Sequence, residues 1–151
     1  DSANAPGRFN VMDYRGATII ADYGHNPDAI RALVQAVDAM PGNKRSVVIS
    51  GAGDRRDQDI IEQTRILGAA FDEVILYQDA CQRGRADGEV LALLRQGLEG
   101  APRTRYSTEI HGEFAAIDHA LERLAPGDLC LVLVDQVEEA LAHLQQRIAS
   151  G

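Results

Sequence analysis

Short apolar runs alternate with amphipathic stretches along almost the whole chain. Ala17-Thr18-Ile19-Ile20-Ala21, Ser46-Val47-Val48-Ile49-Ser50, Val74-Ile75-Leu76-Tyr77 and Leu129-Cys130-Leu131-Val132-Leu133-Val134 are continuous apolar runs of strand length. Such runs suit strands covered on both faces, as in a parallel sheet. Between them apolar side chains recur at helical spacing. The sets are Ile30, Leu33, Val34, Val37 and Met40; then Ile60, Ile61, Thr64 and Leu67; then Val90, Leu91, Leu94 and Leu98; then Phe114, Ile117, Leu121 and Leu124; and finally Val137, Leu141, Leu144 and Ile148. Each set predicts a helix with one face on the sheet. Arg103 to Thr108 is a weaker strand candidate. Upstream, Arg8 to Tyr14 alternates loosely and Arg15-Gly16 supplies a two-residue turn, so the first two strands form a hairpin.

The alternation predicts one α/β domain: a Rossmann-like, doubly wound, mostly parallel sheet with an antiparallel N-terminal hairpin near one edge. In such folds ligands gather beyond the carboxyl ends of the strands. The turns after Ala21, Ser50 and Tyr77 should therefore share one rim.

Composition narrows the classes. With 151 residues, 45% of them hydrophobic and 25% charged, the chain can bury one sizeable core. A net charge of -8 leaves no basic stripe for nucleic acid. The apolar runs are too short to span a bilayer, so a soluble, cytoplasmic protein without a membrane partner is expected. Cys81 and Cys130 lie far apart with no CxxC or Cys/His spacing, which suggests neither a disulfide framework nor a metal site. Residues 1–7 read as a linker from an upstream domain and 8–151 as the domain itself.

Three polar stretches fall on the predicted rim. In Asp22-Tyr23-Gly24-His25-Asn26-Pro27, Asn26 can cap the following helix and Pro27 suits its first position. Asp22 and His25 are left over. They are either turn residues, with Asp22 on backbone amides, or a carboxylate and an imidazole for a nucleotide. Gly51-Ala52-Gly53-Asp54-Arg55-Arg56-Asp57 follows a buried strand, where small residues let backbone approach a ligand. Asp54, Arg55 and Asp57 could fix both charges of an amino acid; the competing account makes Asp57 a helix cap. The third stretch carries Asp79, Arg83, Arg85, Asp87 and Glu89, either a solvated charged surface or a substrate contact. His119 and His143 lie in predicted helices and read as structural, and His111 precedes a helix near the rim.

The hexapeptide Asp22 to Pro27, preceded by Pro6-Gly7-Arg8-Phe9 at a hairpin entry, resembles the start of the C-terminal domain of the Mur ligase superfamily. Within that superfamily the chain is most similar to the cyanophycin synthetases. Gly7-Arg8-Phe9-Asn10, Ser50 to Asp57, and Arg83-Gly84-Arg85 with Asp87-Gly88-Glu89 carry that likeness over essentially the whole chain.

The resemblance implies an ATP-dependent ligase that activates a carboxylate as an acyl phosphate and lets an amine attack it. Arg8 would reach the ribose and phosphates of ATP from the hinge, Asp22 would engage the ribose, and His25 and Asn26 would border the nucleotide. Asp54, Arg55 and Asp57 would lie by the incoming amino acid. Arg83, Arg85, Asp87 and Glu89 would meet the acidic chain and guanidinium groups of a cyanophycin primer, with arginine or aspartate as the amino acid. No GxxxxGK[ST] loop is present. ATP and Mg2+ would therefore be held mainly by a central ATPase domain of the same parent chain, this segment would be silent alone, and the full-length protein is expected to be a homo-oligomer. Alternatives are the same domain of another Mur ligase or of a folylpolyglutamate synthetase, and a stand-alone small-molecule binding module.

Overall fold

The computed structural model describes residues 4–51, 55–78 and 84–151. Eleven elements follow in the order β1 (Asn10–Tyr14), β2 (Ala17–Asp22), α1 (Pro27–Asp38), β3 (Arg45–Ile49), α2 (Asp57–Gly68), β4 (Glu73–Gln78), α3 (Glu89–Gly97), β5 (Tyr106–His111), α4 (Glu113–Glu122), β6 (Leu129–Leu133) and α5 (Val137–Ser150). The six strands form one sheet in the order β1-β2-β6-β3-β4-β5. β1 and β2 are antiparallel and every other pairing is parallel. The expected doubly wound sheet with an edge hairpin is what the chain forms. Arg15 and Gly16 both take positive φ, 52° and 83°, the backbone required by a tight two-residue hairpin turn.

Position in the sheet accounts for the strand patterns. β3 and β6 are buried at every residue because both faces are covered, whereas β5, at the edge, alternates half-buried and exposed. That alternation is why β5 reads weakly in sequence, and it begins at Tyr106 rather than at Arg103. The two faces hold two cores. Ile20, Val47, Ile49, Leu76 and Leu131 pack under α1, α2 and α3, with Ile30, Leu33, Ile60, Leu67 and Leu94. Ile19, Val48, Ile75, Cys130 and Val132 pack under α4 and α5, with Ile117, Leu121 and Leu144. Cys130 is fully buried, and burial pushes its thiol up to about 11.

Local chemistry sets the helix ends. Asn26 Oδ1 accepts from the Ala29 N–H at 2.9 Å and Pro27 opens α1, as the sequence predicts. The far end of α1 is closed by Arg45, whose guanidinium donates to the Val37 carbonyl at 2.8 Å and the Met40 carbonyl at 2.5 Å. Arg45 is therefore buried at the start of a central strand. Phe114 departs from expectation: it lies in the first turn of α4, is 37% exposed, and stacks on His143 at 4.8 Å instead of entering the core. His143 also meets Asp118 at 2.6 Å, and His119 meets the Tyr106 hydroxyl at 2.9 Å, which gives both histidines structural partners.

β2 and β6 are neighbours, yet α1 leaves β2 toward one face and α5 leaves β6 toward the other. The carboxyl ends of these strands thus flank a switch point, the usual ligand crevice of open α/β sheets.

Candidate functional site

The turns after β2, β3 and β4 do lie along one edge of the sheet, since all three strands are parallel. The residues that the sequence places there fall into two groups.

The first group surrounds the β2–α1 turn. Arg8 is exposed, with its guanidinium carbon 4.1 Å from the centre of the Tyr23 ring, and the Tyr23 and His25 rings lie 6.1 Å apart at 48°. A cation, a phenol and an imidazole thus form a row suited to the sugar, base or phosphate of a nucleotide. The entry segment is built in: the Gly7 N–H donates to Asn10 Oδ1 at 2.6 Å and the Gly7 carbonyl accepts from the Tyr23 N–H at 3.0 Å. Gly7 has φ 79°, and a Cβ there would lie 2.8 Å from Val137 Cγ1 and 2.9 Å from Tyr23 Cδ1. Only glycine fits between those side chains.

Asp22 takes the first of the two arrangements open to it, that of a turn residue on backbone amides. It is 8% exposed, with Oδ2 accepting from the Phe9 N–H at 2.9 Å and Oδ1 from the Gly24 N–H at 2.8 Å. Both carboxylate oxygens accept from backbone N–H groups and fasten the entry segment to the β2–α1 turn. Asn26 is the helix cap, and its turn is fixed further where Gln63 Nε2 donates to the His25 carbonyl at 2.9 Å. Beside Asn26 a polar cleft of about 430 Å³ runs between the first turns of α1 and α2, lined by Arg31, Arg56, Asp59 and Glu62.

The second group joins the β3–α2 and β4–α3 loops. Arg85 Nη1 contacts Asp57 Oδ1 at 2.7 Å and Glu89 Oε2, while Nη2 donates to the Arg55 carbonyl at 2.6 Å. Gln78 Nε2 donates to Asp87, and Gln78 Oε1 accepts from the Gly88 N–H at 3.0 Å. Arg85, Asp57 and Glu89, read as substrate contacts, thus engage one another and join the two connections, while Asp87 pairs with Gln78 within its own. Arg55 is exposed beside them. Asp57 stands at the N-terminus of α2 as its first helical residue, with Arg56 in the cap position and no side-chain hydrogen bond from that cap. Gly51 lets these elements close, because a Cβ there would lie 2.8 Å from Val90 Cγ1. Asp54, Asp79, Arg83 and Cys81 lie outside the described residues.

One carboxylate at this edge was not anticipated. Glu113, the first residue of α4, is 6% exposed. Its Oε2 accepts from the Asp135 N–H at 2.7 Å and its Oε1 from the Gln136 N–H at 3.1 Å. Burial raises its pKa, and the two backbone N–H groups oppose that shift. In sequence it reads as an ordinary first-turn acid, since its partners lie more than twenty residues downstream.

Among the described residues no cluster of His, Cys, Asp or Glu is placed to hold a metal ion, and no helix is long and apolar enough to cross a membrane.

Residues 7–134 match the model of the Mur ligase, glutamate ligase domain. The chain belongs to that family. It is the C-terminal domain of Mur ligase type, found in ATP-dependent ligases. It is 34% identical to the cyanophycin synthetase of Synechocystis sp. over 97% of its own length and 17% of that protein's, and 32% identical, with the same coverage, to that of Crocosphaera subtropica. The chain thus spans about a sixth of these relatives. It is also 33% identical to the UDP-N-acetylmuramoyl-L-alanyl-D-glutamate–2,6-diaminopimelate ligase of Zymomonas mobilis over 81% of its length and 24% of that ligase's. The fold is shared with a solved ligase of the latter name, at TM-score 0.80 and 23% identity over 97% of this chain and 32% of that one. It is shared also with E. coli FolC in complex with ADP, at TM-score 0.75 and 23% identity over 99% and 34% of the respective chains.

Proposed function

We propose that this domain is the C-terminal part of a cyanophycin synthetase, where it closes over ATP gripped by a central domain and helps deliver arginine to the aspartate side chains of the growing polymer. The observation that carries this reading is coverage: the cyanophycin synthetases align along 97% of the chain, whereas the Zymomonas mobilis ligase aligns along 81%. In this reading Arg8 and His25 border the nucleotide, with Asn26 at the turn beside them. Asp22 holds that turn in place. Arg55, with Asp54 beyond the described residues, meets the amino acid on a loop that Arg85 locks through Asp57 and Glu89. Asp87 belongs to the polymer-facing side, and Arg83, outside the described residues, is assigned to the polymer by the resemblance alone. ATP is the shared cofactor, Mg2+ is held by the parent's other domains, and no step is assigned to the metal on this chain. The domain contributes positioning and exclusion of water; the phosphoryl-transfer machinery lies elsewhere.

The test is an assay of the full-length parent for ATP hydrolysis dependent on arginine, aspartate and a cyanophycin primer. Arginine-dependent turnover by the parent, with none from this domain alone, is the expected result. Turnover with diaminopimelate or a folate and glutamate instead would assign the domain to another ligase of the family. Binding of a small molecule by a parent lacking any ATP-driven turnover would assign it to a binding module.

A further inference from the structure

Glu113 lies outside every motif assigned above, yet a continuous set of contacts joins it to the Arg8 row. Its carboxylate faces the backbone N–H groups of Asp135 and Gln136 at 2.7 and 3.1 Å, and the Gln136 side-chain amide at 3.4 Å. The Tyr77 hydroxyl, 3.4 Å from Oε2, donates to the Leu133 carbonyl at 2.9 Å and so ties β4 to the end of β6. These contacts define the β6–α5 turn. The next link is direct: the Val134 N–H donates to the Asp22 carbonyl at 2.8 Å, across the switch point. Asp22 in turn holds Phe9, beside Arg8, and Val137 walls the pocket that admits only a glycine at position 7, against Tyr23.

We propose that Glu113 is a positioning residue for the nucleotide-facing row: it sets the β6–α5 turn, and that turn fixes Gly7, Arg8 and Tyr23 in place. A carboxylate is the group this position demands. Three N–H donors converge on it, and a glutamine would turn its own NH2 against one of them. Its place in the first turn of α4 also favours the negative charge. The proposal rests on the reading of Arg8, Tyr23 and His25 as the nucleotide row.

Its test uses the full-length ligase carrying Glu113→Gln, Arg8→Ala, or both. Arg8→Ala and Glu113→Gln should each raise KM for ATP about tenfold, with KM for the amino acid unchanged, since a displaced positioning group acts through the ligand it orients. The double variant should be no worse than Arg8→Ala alone by more than about twofold, because the two act through one element. Hydrogen exchange at the Asp135 and Gln136 amides should quicken in Glu113→Gln. If that variant does not fold, Glu113→Asp, which keeps the charge and withdraws it by one methylene, should show the same KM effect. A folded Glu113 variant with wild-type KM for ATP overturns the proposal, and so does a double variant whose losses add in full. Arg8→Ala at wild-type KM would instead sink the nucleotide row and this proposal with it.

Discussion

Arg85 Nη1 lies 2.7 Å from Asp57 Oδ1, and the pair spans two loops that leave different strands of the sheet. Because Arg85 also holds Glu89 and the Arg55 carbonyl, it fixes the loop that presents Arg55. A double-mutant cycle with Arg85→Ala and Asp57→Ala should give a coupling of about 0.5–1 kcal/mol in denaturant titrations, in keeping with a half-exposed charged pair. Zero coupling would mean that the loops are held by other contacts.

Asp22 receives N–H groups from the entry segment and from the β2–α1 turn. Asp22→Ala would leave the partly buried Phe9 and Gly24 amides without their acceptor, at a cost of about 1–3 kcal/mol. Asp22→Asn retains one acceptor oxygen and should cost less. The order of the two urea midpoints checks this, and equal midpoints would show that the carboxylate is not the clasp.

Gly97 lets α3 lie close against α2. A Cβ there would sit 2.1 Å from the Ile61 carbonyl oxygen and from Thr64 Oγ1, where the Thr64 hydroxyl already donates to the Leu94 carbonyl at 2.6 Å. Gly97→Ala must push α3 off α2, so a loss of about 3 kcal/mol is expected. A thermal midpoint unmoved by that methyl would contradict the packing described here.

Glu73, at the opposite end of the sheet, carries the pH prediction. The paired hydrogen bonds from Arg123, both 2.9 Å, hold its carboxyl below the usual range despite burial. A folded-state pKa lowered below the unfolded one gives stability that is fully present above the unfolded value of about 4.3. That stability is lost as the pH falls through the folded value. Glu73→Gln should therefore be less stable than wild type near neutrality, and the gap should close on acidification. A gap that stays constant with pH would show that the loss is one of packing.

Local chemistry was legible and distant chemistry was not. Asn26 and Pro27 announce the start of α1 because the groups they serve are within three residues. The same hexapeptide leaves Asp22 open between turn residue and ligand group, since one of its two partners, Phe9, lies thirteen residues earlier and meets it only through the hairpin. Arg85 and Glu89 stay open between a solvated surface and a substrate contact for a like reason: Asp57 reaches Arg85 from another connection of the sheet. Apolar runs announce β3 and β6 as buried strands, but nothing in either run says that β6 inserts between β2 and β3.

That insertion bears on the birth of the molecule. The strand that joins the hairpin half of the sheet to the β3-β4-β5 half is the last of the six to be synthesised, so the two halves have no shared backbone ladder until residues 129–133 have been made. Until then the flanks of β2 and β3 are open edges, the surfaces by which nascent chains aggregate. A stop or frameshift after Gln78 and before Leu129 would leave two unjoined fragments of sheet in place of a shortened domain.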